Sequence, residues 1–459
     1  MRGNGSRLRG LIARFLPGGG VLLSALFFAS FVMGLLRTRI LGQTFGAGAE
    51  LDAFYAAFLL PELALDVLVE SGVAAPFVPI FLQLRREGRD AVRFGQTILT
   101  GAVIVMAVTA AVLFIIAPAT TDLIAAGFEG EQRELYVGLF RLMLLTPIIF
   151  AASISIGGVL IAEERFLAYA TAPIVYTAGI ILGTLLLSDA LGIYGSAVGA
   201  VLGALLHLGV RAWGLRRSAF RMRPRFTFRT VAVRDFVRLM IPKMVSQPIE
   251  LITTAYFTRV ASGIAVGGVT VIGIARDFQA VPATLIGASF ALAAFPALSS
   301  AYAAADRRGF LRTFGSTLAT ISALTVLAAG ALLLLGGFVI ERLLGGGEFG
   351  ADDVARTTAA LSAFALALPF ESLSHLLSRA IYATRNTLLQ VLASLAGFGV
   401  TVLVTTLLSD EVGLLAIPFG FAAGAAAKLV LLVIGLALRL RGFASLVAAR
   451  TSGGDAGLD

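Results

Sequence analysis

The sequence has no cysteine, one tryptophan and two histidines, and only 14% of its 459 residues are charged. The missing cysteines exclude disulfides, thiolate chemistry and cysteine-ligated metals. Two histidines, His207 and His375, are too few for a histidine-built metal centre. Neither a GxxxxGK phosphate loop nor an HExxH helix occurs, so the chain is not expected to hydrolyse ATP or act as a zinc hydrolase. No catalytic residue, metal or cofactor is expected. Charge is scarce as well: ordinary globular chains carry about 25% charged residues. With 58% hydrophobic residues and a mean hydropathy of +0.93, one soluble core could not hide the apolar surface.

Apolar blocks fill the chain instead, each near the roughly 20 residues an α-helix needs to cross the hydrocarbon core. Twelve are expected, near 17–45, 52–83, 95–120, 136–161, 167–188, 192–214, 236–262, 268–303, 312–340, 356–383, 387–408 and 413–438. Continuous blocks differ from the short alternating segments of a membrane β-barrel. The fold class is therefore an all-α polytopic membrane protein. Arg2, Arg7, Arg9 and Arg14 precede the first block, which is too long for a signal-peptide core and lacks a small-residue cleavage site. A retained first helix is expected.

The net charge of +9 comes from 36 basic and 27 acidic residues, and all but two of the basic residues are arginine. With twelve helices, the arginine clusters fall on one side: the N-terminus, Arg85–Arg93, Arg165, Arg211–Arg238, Arg307–Arg312, Arg379 with Arg385, and Arg439–Arg450. Opposite loops carry Asp122, Glu129, Asp189, Asp352, Asp353, Asp410 and Glu411. This positive-inside bias places both termini in the cytoplasm. It accounts for the basic charge without a nucleic-acid partner.

The longest polar interruption, Arg211 to Arg238, divides the chain into a 1–230 lobe with its basic linker, a 231–438 lobe and a 439–459 tail. The two six-helix lobes echo one another. The first has Arg37 and Arg39 closing a helix, a Gly-rich turn, Pro61 and Phe77–Pro79; the second has Arg259, Gly263–Gly268, Pro282 and Phe295–Pro296. An even number of helices per half makes the repeats parallel, as in transporters whose substrate site lies between lobes near the midplane.

Charges inside apolar segments cost about 2.5–3.5 kcal/mol each at the bilayer centre, so they mark a protein interior or a wet cavity. Glu62, Asp66 and Glu70 are spaced four apart and share one helical face. Asp52, five turns before Glu70, shares that azimuth on an unbroken helix. Like charges so close need arginine, cations or protons, and Arg37 and Arg39 are the nearest arginines. The stripe is either an ion-pair clasp between the first two helices or a cavity wall. In the second half, Arg276 and Asp277 occupy the corresponding helix. Lys243 and Glu250, seven apart, are a self-neutralising pair, while Glu371 and His375 at i,i+4 are either a proton relay or a plain helix contact.

The hairpin RTRILGQTFGAGAELDAFYAAFLLPELALDVLVESGVAAPFVPIF resembles the opening signature of the MviN/MurJ family of lipid II flippases. There an Arg, a FGAG turn, a DAF, a Pro, an acidic residue and a FVP follow at this spacing. The resemblance implies the V-shaped exporter fold of the multidrug/oligosaccharidyl-lipid/polysaccharide superfamily, and places Arg37, Asp52 and Glu70 at cavity positions. It also implies features this sequence lacks: an arginine at Ser30–Phe31, an Arg pair at Leu65–Asp66, an acid before Arg276 rather than after it, an acid within 388–408, and two further C-terminal helices. The implied function is alternating-access transfer of a polyprenyl-pyrophosphate-linked peptidoglycan precursor from inner to outer leaflet by a monomer. Arg37, with Arg39 and Arg276, would hold the headgroup. The alternatives are export of another lipid-linked saccharide, cation-coupled drug export, or a transport-inactive scaffold for cell-wall enzymes. The precursor, membrane lipids and cell-wall synthesis enzymes are the expected partners.

Overall fold

The computed structural model describes residues 18–70, 76–246, 248–384 and 386–441, and their backbone is helical almost throughout. The first helices are α1 (Gly18–Phe45), α2 (Ala49–Leu65), α3 (Val78–Arg86), α4 (Ala91–Ile115), α5 (Ala117–Ile124), α6 (Gly130–Met143), α7 (Leu145–Ala162), α8 (Phe166–Leu191) and α9 (Tyr194–Gly214). There follow α10 (Val231–Ser246), α11 (Pro248–Ile264), α12 (Gly268–Pro282), α13 (Ser289–Ala303), α14 (Arg307–Leu344), α15 (Ala351–Ala365), α16 (Leu368–Ala383), α17 (Leu388–Val412) and α18 (Ala416–Arg441). They form two compact units, Met1–Ala255 with Gly347–Phe349, and Tyr256–Gly346 with Gly350–Asp459.

Among the described residues, eight helical stretches are long and apolar enough to cross a membrane, nine if α15 and α16, bent by 43°, form one span. One of them, Leu388–Arg441, holds both α17 and α18, which meet at Gly413, a glycine with φ of +58°. The expected block at 52–83 is not among these stretches, and its residues 71–75 lie outside the described residues. Helix α2 has 17 residues, a π-helical segment follows at Asp66–Glu70, and α3 starts only at Val78. Pro61 lacks the N–H that would bond back along α2, and the wider π turn lies just beyond it. A π turn also lies beyond Pro282, at Ala283–Ala288 between α12 and α13. Proline and π turn thus recur at corresponding places in the two units.

In the first unit α8 and α9 approach closely because glycines leave no side chains between them. A Cβ on Gly199 would lie 2.6 Å from the Gly179 carbonyl and 2.8 Å from the Gly183 Cα. Such small-residue seams replace hydrophobic burial as the packing device in lipid. At the α3 end, Phe77 stacks on Phe81 and Phe94 at 5.5 and 5.6 Å, and Phe94 meets Phe236 of α10 edge-on at 6.1 Å. The basic linker is pinned to the start of α4. Gln96 Nε2 donates to the Arg221 carbonyl at 2.8 Å, and the Arg225 N–H donates to Thr100 Oγ1 at 2.9 Å.

In the second unit α17 and α18 form the matching seam, where Gly420 and Gly424 face Thr405 and Thr401. Phe257, Phe364 and Phe421 meet in a cluster with ring centroids 5.8 to 6.1 Å apart. Helix α14, with 38 residues, is about 57 Å long at 1.5 Å per residue and overshoots the hydrocarbon core.

Candidate functional site

Each unit carries its own set of charged groups within apolar helices. In the first unit, Arg37 and Arg39 do not close their helix: α1 continues to Phe45, so both sit about two turns inside it, half-buried. Arg37 Nε is buried and has no hydrogen-bond partner among the described residues. Tyr176 of α8 is within electrostatic reach of both Arg37 and Glu62.

The acidic ladder survives in part. Asp66 and Glu70 lie close to one another, and Glu62 lies within electrostatic reach of Asp66. Glu62 and Glu70 are exposed and Asp66 is half-buried, so the ladder lies on the surface of its unit. Asp52 does not belong to it as the unbroken-helix argument requires. The π turn at Asp66–Glu70 changes the residues per turn, and Asp52 is fully buried.

Two further groups in this set escape a reading of the sequence. Arg211 opens the polar linker in the sequence, yet it lies within α9 and is only 6% exposed. Its Nη1 donates to the Ser153 carbonyl at 2.9 Å, and its guanidinium lies 4.8 Å from the centre of the Tyr169 ring. Glu70 is within its electrostatic reach. His207, one turn earlier in α9, shares a 2.8 Å hydrogen bond with Ser153 Oγ and meets Phe150 edge-on. The i,i+4 spacing of His207 and Arg211 inside an apolar run is the available signal.

In the second unit the structure joins two residues that the sequence treats apart. Arg276 of α12 forms a two-pronged ion pair with Glu371 of α16: Nη2 donates to Oε1 at 2.6 Å and Nη1 to Oε2 at 3.2 Å. Gln279 donates from Nε2 to Oε2 of the same carboxylate at 3.0 Å, while its Oε1 accepts from Arg276 Nη1. The Phe421 ring lies 4.5 Å from the guanidinium carbon. Gln279 and Phe421 carry no charge, which is why they go unnoticed in the sequence. Asp277, adjacent to Arg276, is exposed, as are Arg259 and His375. Lys243 and Glu250 lie on α10 and α11, but their side chains are outside the described residues.

Among the described residues no group of three or more His, Asp or Glu side chains is arranged to hold a metal ion. What the site offers is cationic and anionic side chains set into apolar helices, groups that in membrane proteins face a protein interior or a wet cavity.

Charged residues on membrane-length helices, in two helical units, define a multi-pass membrane transporter. Solved structures agree on the fold. A lipid II flippase MurJ in an inward closed conformation matches 96% of this chain and 94% of its own, with a TM-score of 0.76 at 20% identity. An inward-facing multidrug resistance MATE transporter of the MOP superfamily matches 91% of this chain and 96% of its own, with a TM-score of 0.74 at 14% identity. The family model described as lipid II flippase MurJ matches residues 41–451, and the chain belongs to that family. Similar curated proteins include the probable lipid II flippase MurJ of Thermotoga maritima, 26% identical over 389 residues, covering 84% of this chain and 78% of the relative. The lipid II flippase MurJ of Burkholderia cenocepacia is 24% identical over 430 residues, covering 91% and 83%. The family is one of transporters.

Proposed function

We propose that this protein moves a polyprenyl-pyrophosphate-linked peptidoglycan precursor, lipid II or a close chemical relative, from the inner to the outer leaflet of a bacterial inner membrane, where cell-wall synthesis enzymes consume it. Its working form is a monomer with both termini cytoplasmic. Twelve spans in two lobes, residues 1–230 and 231–438, followed by a cytoplasmic tail at 439–459, rock against one another to expose the headgroup site alternately to the two sides.

Arg37 carries this reading. A guanidinium within a membrane-length helix, with a buried Nε that no described group accepts from, has donor capacity left for an anion. Arg39 and Arg276 are further cationic groups for the headgroup, and Asp52 and Glu70 belong to the cavity wall or gate. The prenyl chain needs no such provision because it can remain in lipid. With no ATP-binding motif, an ion gradient, the membrane potential or consumption of the product must drive transfer.

One observation favours a second reading. The close carboxylates of Asp66 and Glu70, with Glu62 nearby, make an acidic surface suited to a cation, as in a cation-coupled exporter. The experiment that separates the two is rescue of a strain depleted of its essential lipid II flippase, paired with headgroup accessibility in proteoliposomes of purified protein and lipid II. Rescue with faster headgroup exposure supports the proposal; a well-expressed protein that does neither rejects it.

A further inference from the structure

Both oxygens of Glu371 are bonded by the two terminal nitrogens of Arg276, the full fork-to-fork geometry of a guanidinium and a planar anion. The pair is not sealed: the two side chains keep 18% and 17% of their surface exposed. The guanidinium is also held from two other sides, by the amide oxygen of Gln279 and the ring of Phe421. Its position therefore does not depend on Glu371 alone.

We propose, resting on the flippase reading above, that Glu371 is the resting counter-ion of Arg276, and that the pyrophosphate of the cargo displaces it, so that one guanidinium alternates between a carboxylate of its own unit and the headgroup. A phosphoryl group offers the same pair of acceptor oxygens as a carboxylate, with more negative charge. Exchange is cheaper than removal. Breaking a largely buried ion pair outright strands a charge, whereas exchange leaves Arg276 paired throughout. Glu371 is provided for as well. Gln279 Nε2 still donates to it at 3.0 Å, and His375, one turn along α16, lies within its electrostatic reach. Once the cargo is delivered, the carboxylate is positioned to reclaim Arg276 and expel it. Glu371 is thus a positioning residue that competes with the cargo and sets the balance between capture and release. The Glu371–Gln279–Arg276 arrangement gives that competition a fixed geometry.

The test measures binding of farnesyl pyrophosphate, farnesyl monophosphate and farnesol to the purified full chain in nanodiscs. Glu371→Gln removes the competing charge and is expected to tighten farnesyl pyrophosphate binding about tenfold while leaving farnesol unchanged. In proteoliposomes the same variant should show a lower KM for lipid II and a lower maximal rate, because release slows. Adding Arg276→Ala should abolish the gain in affinity. Glu371→Asp, whose shorter carboxylate cannot hold both guanidinium nitrogens, should fall between wild type and Glu371→Gln. It carries the test if the amide variant does not fold. Wild-type binding of farnesyl pyrophosphate that Glu371→Gln and Glu371→Asp leave unchanged, or weaken, overturns the exchange and leaves the flippase reading standing. No binding of any pyrophosphate by the wild type overturns both.

Discussion

Arg211 donates a 2.9 Å hydrogen bond to the carbonyl of Ser153, joining α9 to the middle of α7 inside the first unit. A buried arginine at this point serves the fold. It is bonded to a backbone oxygen, lies against Tyr169 and has Glu70 within reach. Replacing it with methionine removes this charged hydrogen bond and the guanidinium face against Tyr169, a loss of about 1–3 kcal/mol. Arg211→Met should therefore lower the thermal unfolding midpoint in detergent by several degrees. Arg211→Lys, which keeps charge but not the flat face over Tyr169, should recover only part of it. An unchanged midpoint in Arg211→Met would show that the contact contributes nothing to stability.

The glycine seams make a prediction that separates close contacts from open ones. Gly199→Ala places a methyl against the Gly179 carbonyl and the Gly183 backbone, and Gly424→Ala drives one into Thr401 and the Gly397 carbonyl. Neither contact is to a flexible side chain alone, so each unit has to separate a helix pair, at a cost of about 1–3 kcal/mol. Gly330 and Gly399 lie in equally apolar helices but have nothing within 4 Å of an added Cβ. Alanine at those two positions should be neutral or slightly stabilising, through the higher helix propensity of alanine. The measurement is folded yield and unfolding temperature for all four variants. Equal losses at all four would remove the seams as the explanation.

The helical membrane fold was legible in the sequence because continuous apolar blocks have few other uses. The prolines the two lobes share also mark corresponding places, and π turns lie beyond both Pro61 and Pro282. Residues became hard to place where charge and depth parted company. Arg211 sits at the edge of an arginine-rich linker in the sequence but a turn deep in α9 in space. Asp52 and Glu70 share an azimuth only on a straight helix, and one widened turn removes that relation. Arg276 and Glu371 are 95 residues apart, so no local periodicity could join them. Gln279 and Phe421 draw no notice as neutral side chains, although they frame the guanidinium.

The acidic ladder distinguishes the two transport readings. Asp66→Asn is near-isosteric and removes one of three close carboxylates, so the hairpin should fold and lipid II headgroup exposure should stay within about twofold of wild type. Asp66→Leu places an apolar side chain between two acidic ones and should lower the yield of folded protein. If Asp66→Asn instead abolishes uptake of a cationic dye driven by a proton gradient, with lipid II exposure absent in the wild type too, the cation-coupled reading replaces the flippase.

Arg37 is the residue on which transport and scaffolding make opposite predictions. It lies in α1 with a buried, unaccepted Nε, and no backbone carbonyl among the described residues takes that hydrogen. Its loss should spare the fold more than the loss of Arg211, which is bonded to α7. If Arg37 grips a pyrophosphate, Arg37→Ala removes a charge-assisted contact worth about 1.5–3 kcal/mol, or roughly ten- to a hundredfold in lipid II exposure rate. Arg37→Lys should restore charge but not the two-pronged geometry and fall between the two. Protein level, measured alongside, should stay constant. A scaffold that only recruits cell-wall enzymes has no use for a headgroup contact and would support growth of a depleted strain equally well with or without this guanidinium. Equal rescue by Arg37→Ala and wild type at equal protein level therefore rejects the transport role of Arg37.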